Sequence, residues 1–278
     1  MTISDYKKNA VKKLSSITET PEFEAEQIMC YALNLNKNQL LFESKTELDE
    51  KSLTKLNDLF DRRNSREPLQ YILGEWEFYG RKIYCGKGCL VPRPETEMLI
   101  DLAKESTTEN GLFLDLCTGS GCISVSLLLE RKDLKAYAVD ISEKALEYTY
   151  KNVKVYNLQD RIKVICQDLS VFESTEKFNL IISNPPYIKS ADMPRLSPEV
   201  KFEPDIALDG GEDGLVFYKI IIEKYSKYLA DNGIFLFEVG YDIADDVNKL
   251  LKDAGFVSEI ITDLYGNKRV CKAIKNKN

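Results

Sequence analysis

The chain has 278 residues, 44% of them hydrophobic, and a formal charge of −7 from 38 basic and 45 acidic side chains. That supplies a sizeable core, one large domain with a smaller companion, and no apolar run of the length a membrane span or secretory leader needs. Seven cysteines without a C-x-x-C pair, and no histidine at all, argue against a disulfide framework and a His-containing zinc site; no metal is expected, and reduced thiols point to a cytoplasmic protein.

Residues 1–72 read as a small all-helical domain. Tyr6, Ala10, Val11 and Leu14 share one face, Ala25, Ile28, Met29, Ala32 and Leu33 repeat at helical offsets behind a Thr20-Pro21 start, and Leu53, Leu56 and Phe60 line a third helix. No catalytic cluster gathers there, so the domain is either a packing appendage or a module for recognising a partner. In residues 73–92, Trp76, Phe78, Tyr79 and Tyr84 are interspersed with polar residues and glycines, the pattern of a β-hairpin linker. Residues 93–278 form the third segment, opening with Pro94 at a helix start and Glu95 and Glu97 in its first turn.

From Gly111 the pattern alternates. Strands are expected at 112–116, 136–140, 162–166, 179–183 and 233–238, with helices over about 122–130, 142–152 and 215–229. A helix carrying Ile243, Val247, Leu250 and Leu251 follows, and then strands near 256–262 and 269–274. Such alternation predicts an α/β fold with a mostly parallel sheet covered on both faces. Basic and acidic residues balance at 14 each over residues 1–90, so the deficit lies in 91–278, where 24 basic face 31 acidic. That balance disfavours a direct hold on a nucleic-acid backbone and favours a protein or small-molecule substrate.

Two stretches carry chemistry. The first expected strand of the alternating region ends in Asp115-Leu116-Cys117-Thr118-Gly119-Ser120-Gly121 ahead of an apolar helix, and glycines in such a turn let backbone approach a ligand. Asp140 ends the second strand, placed for two ribose hydroxyls, and Asp168 follows the third, placed for an adenine amino edge with Leu169 on the ring face. An ordinary tight turn with two solvated acids is the alternative. A dinucleotide fingerprint would want glycine at position 124, which is serine. Asp115 would oppose a pyrophosphate but suits the charges of S-adenosylmethionine, the expected cofactor, with S-adenosylhomocysteine as product.

The second stretch is Asn184-Pro185-Pro186-Tyr187, immediately after a buried apolar run. Two prolines fix two φ angles and remove two donors. The Asn184 side-chain oxygen and the Pro185 carbonyl can accept the two N–H groups of an amide or amino edge while Tyr187 stacks on its flat face.

With QYILG at 70–74, VPRPETE at 91–97, DLCTGSG at 115–121, NPPY at 184–187, FEPDIALDGGEDGL at 202–215 and FEVG at 237–240, the sequence resembles the HemK/PrmC family, the protein-(glutamine-N5) methyltransferases of peptide chain release factors. The resemblance spans nearly the whole chain. It implies a helical release-factor-binding domain and a seven-stranded, Rossmann-like class I S-adenosylmethionine-dependent methyltransferase domain. The implied reaction transfers a methyl group to N5 of the glutamine in the factor's Gly-Gly-Gln loop. Asn184, Pro185 and Tyr187 would be catalytic, and Arg93, Glu95 and Pro186 would join them around the substrate. Asp115, Thr118, Gly119, Gly121, Asp140, Ile141, Asp168, Leu169 and Asn184 would line the cofactor pocket.

Three departures stand out: Cys117 where relatives carry glycine, tolerable at negative φ; Tyr241-Asp242-Ile243 after the FEVG strand; and substitutions within 263–269. The last two are expected to lie away from the chemistry. Nothing in the sequence demands a dimer, and a monomer is expected. Alternative readings are a glutamine-N5 methyltransferase of a ribosomal protein, an adenine-N6 nucleic-acid methyltransferase, and a non-enzymatic interaction module.

Overall fold

A computed structural model describes residues 1–275, which divide into two units. The first comprises Met1–Glu75 together with Ser197–Phe202; the second comprises Trp76–Leu196 and the chain from Glu203 onward. No helix among the described residues is long and apolar enough to cross a membrane.

The first unit is built from α1 (Ile3–Leu14), α2 (Pro21–Leu33), α3 (Lys37–Phe42), α4 (Glu50–Asn64) and α5 (Leu69–Leu73). Their starts are capped by side chains that satisfy orphan N–H groups: Thr2 accepts from Asp5 N, Asp49 from Ser52 N, and Asn36 and Gln39 form a reciprocal capping box. Thr20 makes no such bond, and α2 begins on Pro21 alone. Tyr6, Leu14, Ile28, Met29, Leu56 and Phe60 are buried in its core. A buried ion pair runs through it as well. Arg63, 4% exposed, donates to both oxygens of Glu24 at 2.6 and 3.2 Å and to Glu199 at 3.3 Å, and Arg66 also reaches Glu199 at 3.1 Å.

The second unit opens with the hairpin β1 (Glu75–Phe78) and β2 (Arg81–Tyr84) and then α6 (Glu97–Ser106). Phe78 and Ile83 of the hairpin are buried in one cluster with Leu99 and Phe113, and Asn152 clasps Tyr84 through its N–H and C=O at 2.8 and 2.9 Å. The hairpin thus belongs to the sheet unit's own core. The alternating elements follow as β3 (Leu112–Leu116), α7 (Cys122–Glu130), β4 (Lys135–Asp140), α8 (Glu143–Val155), β5 (Ile162–Cys166), β6 (Phe178–Ser183), α9 (Val216–Tyr225), β7 (Leu229–Glu238), α10 (Ala244–Asp253), β8 (Phe256–Thr262) and β9 (Lys268–Lys275).

These strands form one seven-stranded sheet in the order β5-β4-β3-β6-β7-β9-β8, parallel except for β9, which runs antiparallel to both its neighbours. Alternate residues of one strand feed opposite cores: Phe235 and Phe237 of β7 pack with Tyr218 and Ile221 of α9, while Ile234 and Leu236 pack with Leu180 and Ile182. A sheet apolar on both faces is one covered on both faces. The α9 helix stops at Tyr225, four residues short of the expected end, because Ser226–Tyr228 tightens into a 3-10 turn. The β7 strand starts at Leu229 despite the polar Asp231 and Asn232.

From β3 the chain crosses to β4 on one side and later returns to β6 on the other. The carboxyl ends of β3, β4, β6 and β7 consequently lie side by side around a reversal of strand order, where open α/β sheets hold ligands.

Candidate active site

At the end of β3 the chain turns into α7 through Cys117-Thr118-Gly119-Ser120-Gly121. Gly121 caps α7 at φ +74°, where a side chain would also run into Thr149. Cys117 also has positive φ, +59°, which corrects the expectation of a negative angle there. A β-carbon in this region costs about 1–2 kcal/mol, a strain carried by the turn.

Asp140 organises the turn from the neighbouring strand. Its Oδ2 accepts from Gly119 N at 2.8 Å and its Oδ1 from Ser142 N at 2.9 Å, while burial pushes the carboxyl above its ordinary range. Beside it opens a cleft of about 270 Å³ that Gly119, Asp140, Ile141, Asp168, Leu169 and Asn184 help to line. Leu169 is buried and Ile141 exposed. Val139, Ile206 and Phe217 add apolar wall. Carboxylates stand on the lining and no Lys or Arg does among the described residues, so a pyrophosphate finds no counter-charge while a neutral nucleoside carrying a cationic tail does. That donor set fits S-adenosylmethionine.

Asp115, Thr118 and Gly121 do not line this cleft. Asp115 is fully buried beneath the turn, its Oδ2 accepting from Thr118 and Ser124 hydroxyls, both at 2.6 Å. Its Oδ1 meets no donor among the described residues, and burial raises the carboxyl to about 6. Thr118 borders a smaller recess that also contains Arg93, Thr96 and Asn184.

The Asn184–Tyr187 turn leaves β6 with Pro185 and Pro186 buried and Asn184 and Tyr187 half-buried. Asn184 Nδ2 donates to Thr96 Oγ1 at 3.2 Å, which turns its carbonyl oxygen away from Thr96. Burial raises the Tyr187 hydroxyl, keeping it protonated. The glycine-rich stretch 208–214 serves this turn. Ile188 N donates to Leu208 O at 2.9 Å and Gly210 N to Ile188 O at 2.8 Å, and a Cβ on Gly210 would stand 2.6 Å from Tyr187 Cα and 2.9 Å from Pro186 O.

Those are backbone atoms that cannot swing aside. Gly210→Ala should therefore cost ~1–3 kcal/mol by overpacking and lower turnover as the turn shifts, with thermal unfolding and turnover measured on one preparation. Wild-type values for both would refute the close-approach account.

Arg93 borders the smaller recess, while Glu95 lines neither it nor the cleft. Arg93 donates to the buried Glu203, whose other oxygen accepts from Val91 N at 2.9 Å, so Arg93 ties the 91–97 segment to the 202–215 segment. Glu95 lies 4.0 Å from Arg269, which is held by Asp263 at 3.0 Å. Arg269 thus reaches the 91–97 segment through Glu95, though it lines neither the cleft nor the smaller recess. Glu203, Arg269, Thr96 and Glu238 were given no role in the sequence reading. The legible signal was Glu238, an acid directly after the apolar run 234–237.

The sheet order, the two turns and the carboxylate-lined cleft beside them are those of a methyltransferase of the Rossmann-like class. Solved structures agree on the fold: a methyltransferase from Pyrococcus furiosus superposes with TM-score 0.55 at 16% identity over 81% of this chain and 100% of that one. An M. jannaschii tRNA m1G37 methyltransferase gives 0.51 at 19% identity over 73% and 57%. Residues 6–74 match the PrmC N-terminal domain and residues 94–196 the methyltransferase small domain.

Among curated relatives, the release factor glutamine methyltransferase of Thermodesulfovibrio yellowstonii is 39% identical over 96% of this chain and 99% of its own length. That of Clostridium acetobutylicum is 37% identical over 95% and 96%. The chain belongs to the release factor glutamine methyltransferase family.

Proposed function

We propose that this protein methylates N5 of the glutamine in the Gly-Gly-Gln loop of peptide chain release factors, using S-adenosylmethionine, and so acts in translation termination. The observation that carries the reading is the half-buried Asn184 amide, which donates to Thr96 and so has its oxygen left for a substrate N–H, at the mouth of a cleft suited to a nucleoside. When bound, the cofactor supplies an electrophilic methyl group on sulfonium. Everything else falls to the chain.

An amide nitrogen is a poor nucleophile because its lone pair is delocalised into the carbonyl. Asn184 Oδ1 and the Pro185 carbonyl grip the two N–H groups and hold the nitrogen so that its lone pair can turn out of the amide plane, while Tyr187 stacks on the face. Positioning and fixed dipoles supply the rate; no strong base is required beforehand, since the nitrogen becomes acidic only as the new C–N bond forms. Asp140, with both oxygens already held by backbone N–H groups, presents its remaining lone pairs to the ribose hydroxyls. Asp168 and Leu169 take the adenine edge and face. Asp140→Ala should weaken S-adenosylhomocysteine binding about tenfold or more, the worth of hydrogen bonds to a charged group; calorimetry returning an unchanged dissociation constant would remove Asp140 from this role.

The direct test is mass spectrometry of a purified release factor incubated with this protein and S-adenosylmethionine, beside a Gln→Ala control in the Gly-Gly-Gln loop. One added methyl group confined to that glutamine is expected. No gain, with cofactor binding shown separately, would overturn the substrate assignment and move the search to ribosomal proteins.

A further inference from the structure

Beneath the Asn184 turn lies a carboxyl group that the chemistry above does not use. Glu238 closes β7 at 3% exposure, and its Oε2 has no hydrogen-bond partner among the described residues. The Thr96 hydroxyl, 2% exposed, accepts from Asn184 Nδ2 at 3.2 Å and on its other side faces the Glu238 carboxyl, whose ionised form it favours. The backbone of Glu238 is itself fixed, because the buried Tyr218 hydroxyl donates to its carbonyl at 2.7 Å.

We infer that Thr96 and Glu238 are positioning residues that set which end of the Asn184 amide faces the substrate. The inference rests on the function proposed above and deepens it. A hydroxyl has one proton. With Glu238 ionised, that proton goes to the carboxylate, and Thr96 can then only accept from Asn184. The amide must present Nδ2 to Thr96 and Oδ1 to the cleft, the orientation that grips a substrate N–H. With Glu238 protonated, the carboxyl can donate to Thr96, whose own proton is freed to meet an amide oxygen. Asn184 then flips at little cost and presents a donor that repels the substrate's N–H.

The groups facing Glu238 come from several elements. Glu95 opposes its ionisation, and Arg269 and Arg93 favour it. Tyr187, Tyr218 and Cys122 also lie within its field and stay neutral, since burial raises each of them. Burial dominates over all of these and brings the carboxyl up to about 7. Below that value the proton is on and the orientation is lost; above it the proton is off and the orientation holds. Turnover should therefore rise with pH through about 7.

The experiment combines turnover with nuclear magnetic resonance of the Asn184 side-chain amide. Thr96→Val keeps the shape and removes the hydroxyl. It should lower kcat about tenfold, the loss of one buried hydrogen bond, with cofactor affinity held, and should speed hydrogen exchange of the Nδ2 protons. Thr96→Ser should restore both. Glu238→Gln should abolish the rise through pH 7 and the matching titration of the Asn184 resonances. Thr96→Ser as impaired as Thr96→Val, or a pH rise surviving in Glu238→Gln, would overturn the inference. Should wild type fail to methylate any release factor, the function reading falls alone, because exchange and titration of the Asn184 amide still decide the relay.

Discussion

Asn184→Ala is expected to lose about a hundredfold in turnover, on the order of 3 kcal/mol, the usual cost of removing one fixed hydrogen-bonding group aimed at a transition state. The truncation removes the Oδ1 acceptor and leaves the Pro185 carbonyl to hold the substrate amide alone, so one N–H is ungripped and the nitrogen rocks back toward planarity. Folding should change little: Asn184 is half-buried, and among the described residues its side chain is held by the Thr96 hydroxyl. The cofactor should bind nearly as before, because Asp140, Asp168 and Leu169, which line the cleft, are untouched. The measurement is a single-turnover rate on the release factor at saturating cofactor, beside a dissociation constant for S-adenosylhomocysteine. A rate within a few-fold of wild type would remove Asn184 from the chemistry. A large loss of cofactor affinity would reassign it to the cofactor side of the cleft.

How far this site could be read from sequence depends on how local each relation is. The Asn184–Tyr187 turn and the Asp115–Gly121 turn are contiguous, and each follows an apolar run that can only be a buried strand, so their places at the sheet's carboxyl edge were legible. Asp140 and Asp168 were legible because each ends or follows a strand. The Arg93–Glu203 bond joins residues 110 apart, and the Asn184–Thr96 bond joins residues 88 apart; no local pattern specifies such partners. Cys117 shows a different limit. A cysteine by itself favours negative φ, and its left-handed angle is imposed by the turn that must bring Gly119 N to Asp140. Asp115 shows a third: its acidity suggested a ligand contact, while the two hydroxyls that enclose it, Thr118 and Ser124, sit three and nine residues on.

Arg63→Ala is the substitution expected to cost the most stability. The guanidinium is buried within the helical unit and forks onto both oxygens of Glu24, itself 8% exposed, and reaches Glu199. Glu199 retains Arg66 after the change, at 3.1 Å, but Glu24 is left as a buried carboxylate without its counter-charge. Breaking such a pair from one side costs ~3–5 kcal/mol, whereas replacing the whole pair with apolar groups of similar size is often neutral. Arg63→Ala should therefore unfold the helical unit far more readily, and the double change Arg63→Met with Glu24→Leu should recover most of the loss. Because the two units need not unfold together, the readout is hydrogen exchange of amides in α2 and α4, which reports local opening free energy. Protection in Arg63→Ala within about 1 kcal/mol of wild type, outside the range for a broken buried pair, would refute the ion pair's structural role. If the double variant were as weak as the single one, packing around the Arg63 side chain, and not the stranded charge on Glu24, would be the source of the stability.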